Sequence, residues 1–432
     1  MPGRSPSAAP ATAARLAESS FSPLDERLRL GTEGYSPAAL RKALHAAARD
    51  SFQQASADLA ALAGLTISPS HLQRLALRFG SEWASHRDAE VKAFRDKKLR
   101  VAYQAAPHVA SVMLDGGRLQ TRAGGAGTGV TDPQWREFKA ASLETLRSEV
   151  RTADPQPEPP SRYRDRQQVA RLAAELKAAR GAAAARPGGR VRRSRRRGRR
   201  RLPRPRKVVR TVVATLADSD RFGWQVAAEV HRRGLHKAAR KACVCDGQKY
   251  NWSIWQMHLV MLGFVPVLDF LHLLVYLYAA AHAAAGKGAP AAWQLYERWL
   301  RWAWGGQVKV LLAGLRAAAE RAGPPPAGAG EDDPRQVVAE AVTYVTNNRR
   351  RMDYPAYRRL GLPISSAPVE SAIKQLNRRI KGSEKFWLLG GAEALLQVRA
   401  AYLSEDGRAE RYWARPRPNA RAVGGGRLRP TG

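Results

Sequence analysis

Between Val208 and Gly286 the chain alternates three times between a short apolar run and a helical pattern. "VVRTVVATL" leads into "DSDRFGWQVAAEVHRRG", "ACVC" leads into "QKYNWSIWQMHL", and "GFVPVLD" leads into "FLHLLVYLYAAAHAAAG". Strands that alternate with helices predict an α/β core. In an open α/β sheet, sites form where strands end, so an acid at such a position carries weight. Asp246 ends "ACVC". Upstream, Asp115 ends the apolar run of "HVASVMLDGGRLQTR", which reads as a strand, an Asp-Gly-Gly turn and a second strand-like run. Asp-Gly is also ordinary turn chemistry.

A third acid opens a helix. In "SSAPVESAIKQLNRRIKG", Ser365 and Ser366 precede Pro368, which suits a first helical position. Val369, Ile373, Leu376 and Ile380 form an apolar stripe, and Glu370, Lys374, Asn377 and Lys381 form the stripe beside it. On its own, Glu370 reads as a first-turn acid favoured by the helix dipole, paired with Lys374. Taken with Asp115 and Asp246 it reads as one member of a carboxylate set. Converging carboxylates repel unless a cation lies between them, and oxygen-only donors suit Mg²⁺ or Mn²⁺. The basic residues around Glu370 would then hold a polyanion.

Charge points the same way. The 432 residues contain 73 Lys plus Arg against 37 Asp plus Glu, a formal net charge of +36. A chain this basic binds nucleic acid or an anionic membrane at least non-specifically. Eleven of the seventeen residues from Arg190 to Arg206 are Arg. That block cannot fold on itself, and it reads as an arm for phosphates, with Arg192, Arg193, Arg195, Arg196 and Arg197 at its centre. Part of the arginine excess also reflects an Ala/Arg/Gly/Pro bias of the kind GC-rich coding produces.

Other features narrow the class. Cys243 and Cys245 make neither a disulfide framework nor a zinc set. They read as small buried hydrophobes in a reduced, cytoplasmic setting. The first sixteen residues lack a signal peptide's apolar core. Leu259 to Ala281, the most apolar stretch, is broken by Pro266, Asp269 and His272, so no membrane span is expected. Residues 1–35 read as disordered. Residues 36–98 read as three helices, with Gly64 ending the second and Ser68 and Pro69 starting the third. That is a helix-turn-helix outline which plain helical hairpins share. Trp293, Trp299, Trp302 and Trp304 fall at near-helical spacing and read as the core of a helical stretch, not as base-stacking residues.

Taken together, several stretches resemble the DDE transposases of bacterial insertion sequences, in particular a Mutator-like group. They are "SVMLDGGRLQTR", "VRTVVATLADSDRFG", "CDGQKYNWSIWQMHL", "VPVLDFLHLLVYLYAAA", "RRRMDYPAYRRLGLPISSAPVESAIKQLNRRIKGSEKFW" and "GAEALLQVRAAYLSEDGR", in the family's order over most of 100–410. "LAALAGLTISPSHLQRLALRFG" also looks like the family's N-terminal region.

The resemblance implies a ribonuclease H-like core (99–160, 208–285 and 352–405) with an all-helical insertion at 286–351. A helix-turn-helix-like DNA-binding domain at 36–98 would precede it. Residues 161–207 are expected to be a basic Arg-rich linker and 406–432 a basic tail. Asp115, Asp246 and Glu370 match the family's catalytic acids and would hold two divalent ions, Mg²⁺ or Mn²⁺. Asp269 and His272 of "DFLH" match a secondary Asp-x-x-His signature near the site. Lys374, Asn377, Arg378, Arg379 and Lys381 would meet DNA phosphates. The implied reaction is water attack on a phosphodiester at the transposon end, then attack of the freed 3′-hydroxyl on target DNA. The partners would be double-stranded DNA at transposon ends and target, with a homodimer or higher oligomer assembled on it, in a nucleoid-associated bacterial setting and with no membrane. Three rivals remain: a non-transposing nuclease on the same core, such as a junction resolvase; a catalytically silent DNA-binding derivative; and a basic RNA-binding protein.

Overall fold

The computed structural model describes residues 35–102, 106–123, 134–180, 204–286, 288–382 and 385–414. The N-terminal segment to 34 and the arginines at 192, 193, 195, 196 and 197 lie outside the described residues.

Three helices come first: α1 (Pro37–Arg49), α2 (Phe52–Ala63) and α3 (Pro69–Arg95). Each starts on a serine whose hydroxyl accepts a backbone N–H of the first turn: Ser36 from Ala39, Ser51 from Gln54 and Ser68 from His71. Gly64 ends α2 at φ 62°, a left-handed cap that costs glycine no Cβ clash. The strands β1 (Val109–Thr121) and β2 (Gln134–Arg147) follow, then helix α4 (Arg166–Arg180). Next come β3 (Arg206–Thr215), α5 (Ser219–Arg232), β4 (Arg240–Cys245), α6 (Lys249–Ile254), β5 (Val265–Leu268) and α7 (Phe270–Ala285). Three further helices, α8 (Pro290–Trp304), α9 (Val308–Ala322) and α10 (Pro334–Asn348), pack on α7 and on one another. The described chain ends with α11 (Tyr354–Arg359), α12 (Ala367–Ile380), β6 (Phe386–Trp387), α13 (Leu389–Leu403) and α14 (Arg408–Ala414).

The fold is mixed α/β. Its six-stranded mixed sheet has the order β3-β2-β1-β4-β5, with β6 added on the far end of β1. The pairs β1–β2 and β2–β3 are antiparallel, while β1–β4 and β4–β5 are parallel. Apolar β1 and β4 lie at the centre, with helices on both faces, which is why they read as near-continuous hydrophobic runs. Cys243 and Cys245 are buried free thiols within β4, as expected of small strand hydrophobes. Trp293, Trp299 and Trp304 are buried in the helical stretch, also as the spacing predicts. No helix among the described residues is long and apolar enough to cross a membrane.

Four expectations need correction. The Asp-Gly-Gly at 115–117 is no turn. β1 runs straight through it, pairing Asp115, Gly116 and Gly117 with Ala140, Lys139 and Phe138. These glycines serve space, not a left-handed φ: a Cβ on Gly117 would lie 2.4 Å from the Phe138 ring, and one on Gly116 would lie 2.7 Å from the Glu137 carboxylate. Residues 166–180, expected within a linker, form α4, which packs on α7. The basic tail does not begin at 406. Asp406 is 5% exposed and bonded to Thr211, Arg232 and Arg408, and α14 follows it. Pro368 is the second residue of α12, not the first, because the helix opens at Ala367.

The N-terminal helices share one hydrophobic core with the sheet layers. The α3–α13 crossing is tight at Gly80, where a Cβ would stand 2.3 Å from the Ala394 carbonyl oxygen.

Candidate active site

The parallel register pairs Leu114 of β1 with Cys245 of β4. Asp115, the next residue within β1, and Asp246, the first residue past β4, therefore lie side by side on neighbouring strands. Adjacent strands lie about 4.8 Å apart, so this pairing alone brings two residues 131 positions apart to one place. α12 packs across β1, its Val369, Ile373, Leu376 and Ile380 stripe buried as the sequence predicts. That anchoring aims the adjacent stripe at the same place. Asp115, Asp246, His272 and Glu370 all line one cavity of about 490 Å³, with Lys374, Asn377 and Lys381 on the same wall.

Each acid is fixed differently. Asp115 accepts the N–H of Gly116 at 2.7 Å. Burial, and then the charge of Asp246, push its carboxyl up to about 7. Asp246 is 5% exposed and accepts the N–H of Gln248 and the side-chain amide of Asn251, both at 3.1 Å. Glu370 Oε1 accepts the hydroxyl of Ser366 at 3.2 Å. Burial, followed by the charge of Asp269, raises the Glu370 pKa. Ser366 thus holds the glutamate rather than capping the backbone of α12, for which it makes no side-chain bond.

Asp269 and His272 join β5 to this acid helix. Asp269 Oδ2 accepts the N–H of His272 at 2.9 Å and its ring Nδ1 at 2.6 Å, while Oδ1 accepts the N–H of Ser366 at 2.9 Å. Burial works to lower the His272 pKa, but the hydrogen bond and charge of Asp269 prevail and raise it to about 9. Its Nδ1 stands 3.9 Å from Glu370 Oε1. The donor atoms of Asp269, His272 and Glu370 all lie within 4.8 Å of one another. Asp269 is fully buried and both its oxygens are engaged. It therefore fits a brace for His272 and for the start of α12 better than a metal ligand.

Asp115, Asp246 and Glu370 have the donor chemistry for a divalent cation, although among the described residues the donor atoms gathered within 4.8 Å of one another are those of Asp269, His272 and Glu370. Three carboxylates from β1, the end of β4 and α12 face one cavity, and at least Asp115 is destabilised in its charged form by Asp246. A cation among them would relieve that repulsion, and all-oxygen donors match Mg²⁺ or Mn²⁺.

The basic residues divide. Lys374 is exposed and 3.8 Å from Glu175, a surface pair of little strength. Lys381 lies over the Trp135 ring at 5.2 Å. Asn377 Oδ1 is buried without a hydrogen-bond partner among the described residues. Arg378 is exposed but does not line the cavity. Arg379 belongs to the core and not to a basic surface. It is 2% exposed, donates to the Ala47 carbonyl at 2.7 Å and lies under Phe52 and Trp387. Burial, then the charge of Arg399, lower its pKa to about 10. Helical periodicity explains the split: 379 follows 376 by three and falls on the apolar stripe.

Several cavity residues escaped the sequence reading. Tyr250 lines the cavity, and its hydroxyl is buried without a partner among the described residues. Glu137 of β2 and Glu175 of α4 also line it. For Tyr250 a signal existed, since it follows Asp246 by one helical turn. For α4 there was none, because its packing partner is distant in sequence. No protein-family model matches this chain, and no curated protein matches it.

Proposed function

We propose that this chain is a DDE transposase, a metal-dependent enzyme that cuts and joins DNA strands at insertion-sequence ends on a ribonuclease H-like core. The observation that carries the proposal is the convergence of Asp115, Asp246 and Glu370 from three separated elements on one cavity with a basic wall. The sheet order, with two antiparallel strands beside parallel β1, β4 and β5, supports the core assignment. The helices between α7 and α11 fit the insertion, and the α2–Gly64–α3 outline fits a DNA-reading helix-turn-helix.

In this reading Asp115, Asp246 and Glu370 hold the cations. Bound Mg²⁺ would supply charge neutralisation at the scissile phosphate and lower the pKa of attacking water. The chain's own groups do the rest. Lys374 and Lys381 offer ammonium groups to phosphate oxygens, and the Asn377 amide offers a short-range contact. Ser366 and the His272–Asp269 pair fix the Glu370 carboxylate. The net reaction is hydrolysis that frees a 3′-hydroxyl, followed by transfer of that end to a target phosphodiester. The DNA partner, a cytoplasmic setting and assembly as a dimer or larger on DNA belong to the same proposal.

Glu370→Gln tests it. It keeps shape and helix while removing the negative charge. Cleavage and strand transfer on end-labelled DNA with Mg²⁺ are expected to fall by roughly a thousandfold or more, with melting and gel-shift affinity nearly unchanged. Wild-type cutting by the variant sinks the proposal. Hydrolysis by the wild type without any joining would instead favour a non-transposing nuclease.

A further inference from the structure

A second cleft, of about 420 Å³, lies at the opposite end of the sheet from the acids. His108, Arg147, Arg151, Arg204, Arg206 and Arg358 line it. Its geometry is unfavourable for a protein alone. Arg147 ends β2 and Arg206 begins β3, and the two are paired directly across the antiparallel ladder. Like charges placed opposite one another destabilise a sheet. Arg147, Arg204 and Arg206 have no acidic partner among the described residues. The two nearby acids are already taken: Glu149 pairs with Arg151 at 2.8 Å, and Asp154 pairs with Arg358. Arg358 is 8% exposed, and its Nη1 finds no hydrogen-bond partner among the described residues. Burial, then the charge of Arg162, lower the pKa of Arg204.

Val109, paired with Leu146 beside Arg147, is six residues from Asp115 along β1. At about 3.3 Å per residue that is roughly 20 Å, or about six phosphates at ~3.4 Å along one DNA strand. The stretch from Pro155 to Leu176 connects the two places, since Pro155 lines the arginine cleft and Leu172 and Leu176 line the acid cavity.

We infer that this cleft grips the sugar–phosphate backbone of duplex DNA, as a binding site distinct from the acid cavity and roughly 20 Å from it. Guanidinium pairs suit phosphate oxygens, and a phosphate lying between Arg147 and Arg206 turns a cross-strand repulsion into a shared contact. The inference rests on the DNA reading above. It does not rest on cleavage, so its test uses none.

The test is fluorescence anisotropy on a random-sequence duplex in EDTA over a range of salt. It compares the wild type with Arg147→Gln/Arg206→Gln and with Arg147→Lys/Arg206→Lys. Each lost phosphate contact removes about 0.9 from the slope of log affinity against log salt, so the glutamine pair should lose about 1.8. Between 50 and 200 mM salt the wild type should then lose about 12-fold more affinity than the glutamine variant. The lysine pair should keep the wild-type slope. An unchanged slope in the glutamine variant overturns the inference. So does a lysine variant that loses as much as the glutamine one, since that marks a folding effect and not charge. Should Glu370→Gln cut normally while the slopes behave as expected, the cleft stands and only the catalytic reading falls.

Discussion

Asp115 carries a titration that can be read directly. Its folded-state carboxyl titrates at about 7, against about 3.9 in an unfolded chain. Between those values the folded form holds the proton and the unfolded form does not, so stability falls as pH rises from about 4 to 7. In EDTA the slope should be on the order of 1 kcal/mol per pH unit, and Asp115→Asn should remove it. Glu144 is also raised to about 7, chiefly by burial, so the informative quantity is the difference between wild type and variant across pH 5–8. Identical melting profiles would show that neither burial nor the charge of Asp246 raises the Asp115 carboxyl. Added Mg²⁺ should raise the wild-type melting temperature at pH 8 more than at pH 5, where protons compete for the same oxygens. Arg379 makes the contrasting case. Arg379→Ala removes the bond to Ala47 and leaves a void under Phe52, so roughly 1–3 kcal/mol of stability should go while DNA affinity per folded molecule holds. A weaker affinity at unchanged stability would return it to the DNA surface.

At the scale of elements, what was legible depended on how local the signal was. Gly64, Ser68 and Pro69 marked the helix ends because caps act within one turn. The stripe of α12 was readable, since 3.6-residue periodicity needs no partner to be seen. Asp246 was correctly placed at the end of a strand for the same reason. The pair Gly116-Gly117 misled, because a glycine demanded by the Phe138 ring looks in sequence like a glycine demanded by a turn. Helix α4 and the true extent of β2 depend on contacts with residues far along the chain, which no local pattern reports. The same holds for Gly80, which sits mid-helix with nothing nearby to explain it. Its cause is the Ala394 carbonyl across the helix crossing. Gly80→Ala should force α3 off α13 and cost about 1–3 kcal/mol, despite alanine's better helix propensity. A variant that melts at or above the wild type would show that the crossing can widen freely.

Over the whole molecule, charge sets the behaviour toward any polyanion. The formal charge of +36 is spread through the chain, but the block from Arg190 to Arg206 concentrates eleven arginines. Phosphate contacts of that kind carry no base information. Deleting 190–203, which leaves β3 intact, should weaken binding to every duplex alike and flatten the salt dependence. Loss of affinity for one sequence alone would make the block a reader. The convergence of distant acids belongs to this scale as well. Strand-end and helix-start context suggested the set and the resemblance singled it out, because spacings of 131 and 124 residues carry no geometric information until the sheet brings them together.

One contact joins two of these scales. The Tyr344 hydroxyl of α10 donates to the Asp246 carbonyl at 2.7 Å, and its ring fills the space where a Cβ on Gly247 would stand at 2.7 Å. Gly247 itself holds φ 102°, so the bend after the acid is glycine's to make and the tyrosine's to brace. The added helices are therefore no removable module. Trimming the chain to a minimal sheet would knock out a strut beneath one of its own acids, and any shortened version of this scaffold has to carry Tyr344, or a replacement for it, along with the sheet.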